Sequence, residues 1–435
     1  MIKIAPTPPI SFSGEVPGDK SISHRALILS ALASGESVIE GLLHSADTDA
    51  TWACLLALGA GLEEDSPGRV RVTGVASHLT SPKGTLEAAN SGTTARLLLG
   101  VLAQAGLYAS LDGDESLRLR PMRRVMEPLG QMGARITALA RDGRLPLKIQ
   151  PAALHGADLQ TDVASAQVKS ALLLAALGAE GPTAVDLPRP SRDHTERMLR
   201  HFGVTVTSAV DGAGHELVAL TGPQTLLADG AIVVPGDPST AAFLWAAAAV
   251  TGGRAEVHGV CLNERRIGFL RLLADMGVTV EISADQIGLE PVGRVVVSGR
   301  PTRHGEVSRA DVVDLIDELP LLACVMAIAP GVSRVEGAEE LRVKESDRIA
   351  AMGQGLRALG VACAESPGGW RIEGGRRIGS AELDPCGDHR VAMALSVLAM
   401  AGAKESTLLG DRLWEVSYPT FVEQMQLAGG RLQEA

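Results

Sequence analysis

The sequence of 435 residues predicts an α/β protein of two similar lobes, each made of three related units, and three observations carry that expectation. The tetrapeptide Val-Pro-Gly-Asp occurs twice, at 16–19 and 234–237, half a chain apart. Small or acidic residues precede apolar runs at Ser21, Ser91, Ser165, Asp237, Asp317 and Asp388, with gaps of 70, 74, 72, 80 and 71. A second series ends helix-like segments at Leu58-Gly59, Met132-Gly133, Phe202-Gly203, Met276-Gly277, Leu359-Gly360 and Ala428-Gly429, and most of these lead into alternating, strand-like stretches. Self-similarity at a fixed period marks repeated supersecondary units. Glycine just past a helix is a common C-terminal cap. Each unit of about 72 residues then holds strands, one wholly apolar helix and one amphipathic helix. One lobe is expected at 19–235 and the other at 1–18 plus 236–435, with chain crossings near 17–19 and 234–237.

Composition bounds the partners. Hydrophobic residues make up 46% and charged residues 21% of the chain, as in soluble globular proteins. The longest apolar runs, 241–250 and 391–403, are too short to span a bilayer. The start of the sequence lacks a secretory pattern. Five cysteines with no C-x-x-C spacing argue for a reducing cytoplasm and against zinc or a disulfide framework. A net charge of −11 repels nucleic acid and anionic membranes, and eleven aromatic residues (4 Trp, 2 Tyr, 5 Phe) leave little for base stacking. Any anion site must therefore be a local basic pocket in an acidic shell.

The apolar helices open on polar sets: Lys-Ser-Ile-Ser-His-Arg (20–25), Asn-Ser-Gly-Thr-Thr-Ala-Arg (90–96), Ser-Ala-Gln-Val-Lys-Ser (165–170), Asp-Pro-Ser-Thr (237–240), Asp-Glu-Leu-Pro (317–320) and Asp-His-Arg (388–390). Ser and Asp are good N-caps. Lys20, Arg25, Arg96 and Arg390 are not explained that way, since cations oppose the macrodipole at a helix N-terminus. A bound anion corrects the sign. If the three apolar helices of each lobe run parallel, their N-termini converge on the cleft between lobes. Two further segments add charge. Arg118 and Arg120 alternate as on one side of a strand. Lys344 and Arg348 fall at i, i+4 as on one helix face, with the acid Glu345 between them. Lys20, Arg25, Arg120, Lys344, Arg348 and Arg390 together balance two small molecules that each carry a phosphate and a carboxylate. Neither G-x-x-x-x-G-K-[ST] nor a strand-borne G-x-G-x-x-G is present for a nucleotide. Asp317, Glu345 and His389 are available for proton transfer.

The strings PGDKSISHRA, NSGTTAR, LRLRPM, SAQVKSALLLA, SRDHTE, VPGDPS, ELRVKESDR and DHRVAM together resemble the 5-enolpyruvylshikimate-3-phosphate synthase family, in the family's order and over essentially the whole chain. The resemblance implies a monomer of two lobes, each of three βαβαββ units with buried parallel helices, an inside-out α/β barrel with its active site in the interlobe cleft. It implies addition of the 5-hydroxyl of shikimate 3-phosphate to C2 of phosphoenolpyruvate, then loss of phosphate, with no metal or organic cofactor. By the same resemblance, Lys20, Ser21, Arg25, Ser165, Ala166, Gln167, Arg192, Asp317 and Lys344 bind shikimate 3-phosphate. Lys20, Asn90, Gly92, Arg120, Gln167, Arg348, His389 and Arg390 bind phosphoenolpyruvate, and Asp317, Glu345 and Lys20 carry the chemistry. Three positions depart from the common family pattern: Glu340 stands for an Asn, Val416 for a Lys, and Ala166 for the second Ser of Ser-Ser-Gln. Two alternatives stay open. One is the sister UDP-N-acetylglucosamine enolpyruvyl transferase, whose catalytic loop typically carries a Cys that the corresponding stretch 112–124 lacks. The other is a non-catalytic phosphometabolite-binding protein.

Overall fold

A computed structural model describes residues 1–76 and 78–434. The chain forms two compact units: a central one, Lys20–Val234, and a terminal one, Met1–Asp19 with Pro235–Ala435. Among the described residues there are six sheets, each of four strands, and none closes into a barrel. Every sheet has the same pairing order, one parallel pair followed by two antiparallel ones, and the full connectivity is seen in the one ordered Asp158–Gln160, Gly181–Leu187, Glu216–Gly222, Thr207–Val210. The first two strands are parallel and joined through a buried helix, and the remaining pairs are antiparallel. A second helix connects the second strand to the closing hairpin. This is βαβαββ.

Six helices fill the interior: α1 (Lys20–Leu32), α2 (Gly92–Ala105) and α3 (Ala166–Ala176) in the central unit, and α4 (Pro238–Thr251), α5 (Leu319–Ile328) and α6 (His389–Ala399) in the terminal unit. They are apolar on all sides because they are buried on all sides; all 14 residues of α4 are buried. Small residues let them approach closely. A Cβ on Gly100 of α2 would sit 2.0 Å from the Ala171 carbonyl oxygen of α3, so glycine is required there. Cross-links join like ends of neighbouring helices. Arg96 near the start of α2 donates to Gln167 at the start of α3, and Arg390 of α6 donates to the Asp317 carbonyl just before α5. Within each unit these helices therefore run parallel, tips together.

The termini and the crossings complete the repeats. Ile2–Ile4 enters the last sheet between Ser406–Leu408 and Leu432–Glu434. Ser11–Glu15 supplies the first strand beside Arg254–Cys261, although the chain next forms α1 of the other unit. Ala231–Val233 likewise supplies the first strand beside Glu36–Glu40 and then leads to α4. The two Val-Pro-Gly-Asp copies lie side by side: Asp19 N donates to the Pro235 carbonyl at 2.8 Å and Asp237 N to the Pro17 carbonyl at 2.9 Å. Both aspartates accept from the buried Arg266 guanidinium.

The six glycines of the second series all adopt the left-handed conformation, with φ of 97°, 97°, 82°, 83°, 82° and 94° at Gly59, Gly133, Gly203, Gly277, Gly360 and Gly429. A side chain at φ of that sign is strained, which is why glycine ends each amphipathic helix. Of the six expected caps, Ser91, Ser165, Asp237 and Asp388 accept the expected backbone N–H. Ser21 and Asp317 do not cap. Helix α1 already begins at Lys20, so Ser21 lies inside it, and the position before α5 is Glu318. No described helix is long and apolar enough to cross a membrane.

Candidate active site

In the central unit the tips of α1, α2 and α3 gather one set of candidates. Lys20 Nζ meets Asp47 Oδ2 at 2.8 Å. Arg25 is buried, and each of its three nitrogens donates: Nε to Thr195 Oγ1 at 2.7 Å, one terminal nitrogen to Ser170 Oγ at 2.7 Å, and the other to the Ser21 carbonyl at 2.8 Å. Arg120 donates to Asn90 Oδ1 at 2.5 Å. Gln167 accepts from Arg96 at 2.7 Å and donates to Thr93 at 2.9 Å, so its amide orientation is set from both ends. Gly92 lies against two guanidinia; a Cβ there would sit 2.7 Å from Arg96 and 3.4 Å from Arg120. Ser165 is the cap of α3, Ala166 its first residue, and Arg192 lies in the turn before helix His194–His201.

Behind this set, His24 is fully buried with Nδ1 2.7 Å from Thr51 Oγ1. Burial pushes its imidazole down to about 3, helped by Lys20 and Arg25 and opposed by Asp47, so it is neutral at physiological pH. Thr51 continues to Thr94, and Thr94 to the cap Ser91, which ties α1 to the tip of α2.

The expected strand bearing Arg118 and Arg120 is absent. Asp114 caps a short helix, Glu115–Arg118, and Arg118 turns to a bidentate bond with Asp112 on the surface. Arg120, just past the helix, is buried and joins the candidate site alone.

In the terminal unit the tips of α5 and α6 meet the start of helix Arg348–Ala358. Arg348 is buried and donates to Asp388 at 2.8 Å and to Glu345 at 2.6 Å. Burial would raise the Asp388 carboxyl, but the adjacent guanidinium holds it below the usual carboxylate range. Arg390 donates to the Asp317 carbonyl at 2.9 Å and its Nε lies 4.0 Å from the Asp317 carboxylate. His389, the first residue of α6, is buried. Lys344 is not on the helix with Arg348. It follows a tight turn, Glu339–Val343, and the helix starts only after Asp347, which caps it at Ala350. Loss of hydration pushes the Lys344 ammonium down, with Asp317 and Glu340 pulling the other way. Glu340 stands 3.9 Å from Lys344.

Spacing did not disclose the residues that hold these groups in place: Asp47, Thr93, Ser170, Thr195 and the counter-ion role of Asp388. Arg96 stood out as an unexplained cation, and its role as the clamp on Gln167 needs the packing of α2 on α3.

A family profile described as EPSP synthase (3-phosphoshikimate 1-carboxyvinyltransferase) matches residues 6–425. The chain belongs to the EPSP synthase family. A relative named 3-phosphoshikimate 1-carboxyvinyltransferase, from Acidiphilium cryptum, is 45% identical over 435 residues, covering 99% of this chain and 97% of the relative. One of the same name from a Synechococcus strain is 46% identical, covering 94% and 93%. A solved EPSP synthase from Acinetobacter baumannii superposes with a TM-score of 0.86 at 36% identity, over 99% of both chains. The enolpyruvyl transferase NikO of Streptomyces tendae shares the fold, with a TM-score of 0.77 at 18% identity over 100% of this chain and 98% of its own. The α/β architecture expected from the sequence is that of these enzymes.

Proposed function

We propose that this chain is a 3-phosphoshikimate 1-carboxyvinyltransferase that joins shikimate 3-phosphate and phosphoenolpyruvate and releases phosphate, using both helix-tip clusters on one pair of substrates. One observation carries this reading: carboxylates stand among cations at the tips of α5 and α6, where a simple anion binder needs none. In the central unit, Lys20, Ser21, Arg25, Ser165, Ala166, Gln167 and Arg192 bind the shikimate phosphate and ring, while Lys20, Asn90, Gly92, Arg120 and Gln167 serve phosphoenolpyruvate. Lys344 and Asp317 reach the shikimate ring from the terminal unit, and Arg348, His389 and Arg390 complete the phosphoenolpyruvate contacts.

Asp317 accepts the proton of the 5-hydroxyl as its oxygen attacks C2. Glu345 delivers a proton to C3, then takes one back from the new methyl group as phosphate leaves. Fixed guanidinia are suited to this because they stabilise charge without reorganising at the moment of reaction. The domain organisation proposed with this function is two lobes, 19–235 and 1–18 plus 236–435, acting as a monomer in the cytoplasm. The test is phosphate release on mixing the protein with both substrates. Release with UDP-N-acetylglucosamine in place of shikimate 3-phosphate would favour the sister activity, and binding without release would favour a carrier.

A further inference from the structure

We infer that Lys169 and Glu216 form a buried positioning device that holds the shikimate-phosphate contacts of the central unit. The inference rests on the reading of Arg25, Ser165, Ala166, Gln167 and Arg192 given above. Lys169 sits one turn into α3 and is fully buried. Its ammonium lies 2.9 Å from Glu216 Oε2 and 2.5 Å from Glu196 Oε1. Glu216 Oε2 also accepts the Ser191 backbone N–H at 3.1 Å. Thus one ammonium pins residues 191–196 at both ends, at Ser191 through Glu216 and at Glu196 directly.

What lies between those pins belongs to the site. Arg192 follows Ser191, and Thr195 Oγ1 accepts from Arg25 Nε. Ser170, next to Lys169, accepts from another Arg25 nitrogen and lies 2.6 Å from Thr195 Oγ1. Residues 165–167 form the tip of the same helix. Burial raises the Glu196 carboxyl, against the pull of Lys169. A buried ion pair is no better for stability than apolar residues of like volume. Its contribution here is geometry: it sets where the 191–196 segment presents Arg192 and Thr195.

The test replaces the pair by apolar residues of similar size, Lys169→Met with Glu216→Leu, in the full-length protein. Shikimate 3-phosphate affinity, measured by calorimetry without phosphoenolpyruvate, is expected to fall about 10-fold or more, the loss typical when a charge-assisted hydrogen bond is removed. KM for shikimate 3-phosphate follows it, while kcat and KM for phosphoenolpyruvate stay within about 3-fold. General loosening would move all three together. A folded double variant with unchanged shikimate 3-phosphate affinity overturns the inference. If the double variant gives no cooperative melt, Glu216→Gln decides instead, with weaker shikimate 3-phosphate binding expected and unchanged binding overturning it. Arg192→Ala separates the two levels. Unchanged binding there overturns the substrate reading itself, whereas weakened binding there with an unaffected double variant removes only the positioning role.

Discussion

The two helix-tip clusters hold their arginines differently, although Lys20 of the central unit pairs with the Asp47 carboxylate. In the central unit, Arg25 donates to hydroxyls and a carbonyl, Arg120 to an amide, and Arg96 to the Gln167 amide. In the terminal unit, Arg348 faces Glu345 and Asp388, Arg390 approaches Asp317 and Glu318, and Lys344 approaches Glu340. A guanidinium that donates to neutral groups is oriented by them without being neutralised by them. One held by carboxylates is partly neutralised but fixes acids where protons can be moved. The first arrangement suits binding and the second suits chemistry.

The sharpest way to break this contrast is Glu345→Gln. Turnover is expected to fall by about 10²- to 10⁴-fold while calorimetry still detects both ligands; near-normal turnover would remove Glu345 from proton transfer. Next comes stability. Arg348→Met leaves Asp388 buried without its counter-ion, a loss of about 3–5 kcal/mol by urea unfolding. Arg25→Met strands neutral hydroxyls instead, which costs about 1–3 kcal/mol. Equal losses would mean the two kinds of partner do not matter.

pH gives a smaller, unit-specific effect. The folded His24 titrates at about 3 and the unfolded one near 6.5, so the unfolded chain binds the extra proton between these values. Its contribution to stability is therefore complete above about pH 6.5 and is lost as pH falls toward 3, by up to about 1.4 kcal/mol per pH unit. The depressed Asp388 works in the same direction but only below the ordinary carboxylate range, near pH 4. Glu196, whose carboxyl is raised, works in the opposite sense, so the difference between wild type and His24→Asn is the quantity to read. Between pH 6.5 and 4.5 the variant should lose stability less steeply, and hydrogen exchange should report the change in the central unit. The same slope in both proteins would exclude His24 as its source. Smallest is the cap test. Ser91→Ala should cost about 1 kcal/mol in thermal or urea unfolding. Ser21→Ala, inside α1 and capping nothing, should cost only a few tenths by the same measurements; equal losses would restore Ser21 as a cap.

By itself the sequence determined whatever is settled within a few residues. The caps at Ser91, Ser165, Asp237 and Asp388 and the six left-handed glycines follow from bonds spanning one helical turn, so local residue types specify them. Their period then disclosed the six units and the α/β class. The local geometry at Arg118 and Lys344 differs from the expected strand and helix because an alternating or i, i+4 spacing fits several conformations, and the nearby caps Asp114 and Asp347 decide among them. Tertiary structure alone decided the partners. Lys169 finds Glu216 47 residues away, Arg348 finds Asp388 40 away, and Arg25 finds Ser170 145 away. Buried charges and donors must be satisfied by whatever the packing of one repeat on the next brings near, and a one-dimensional pattern does not contain that proximity.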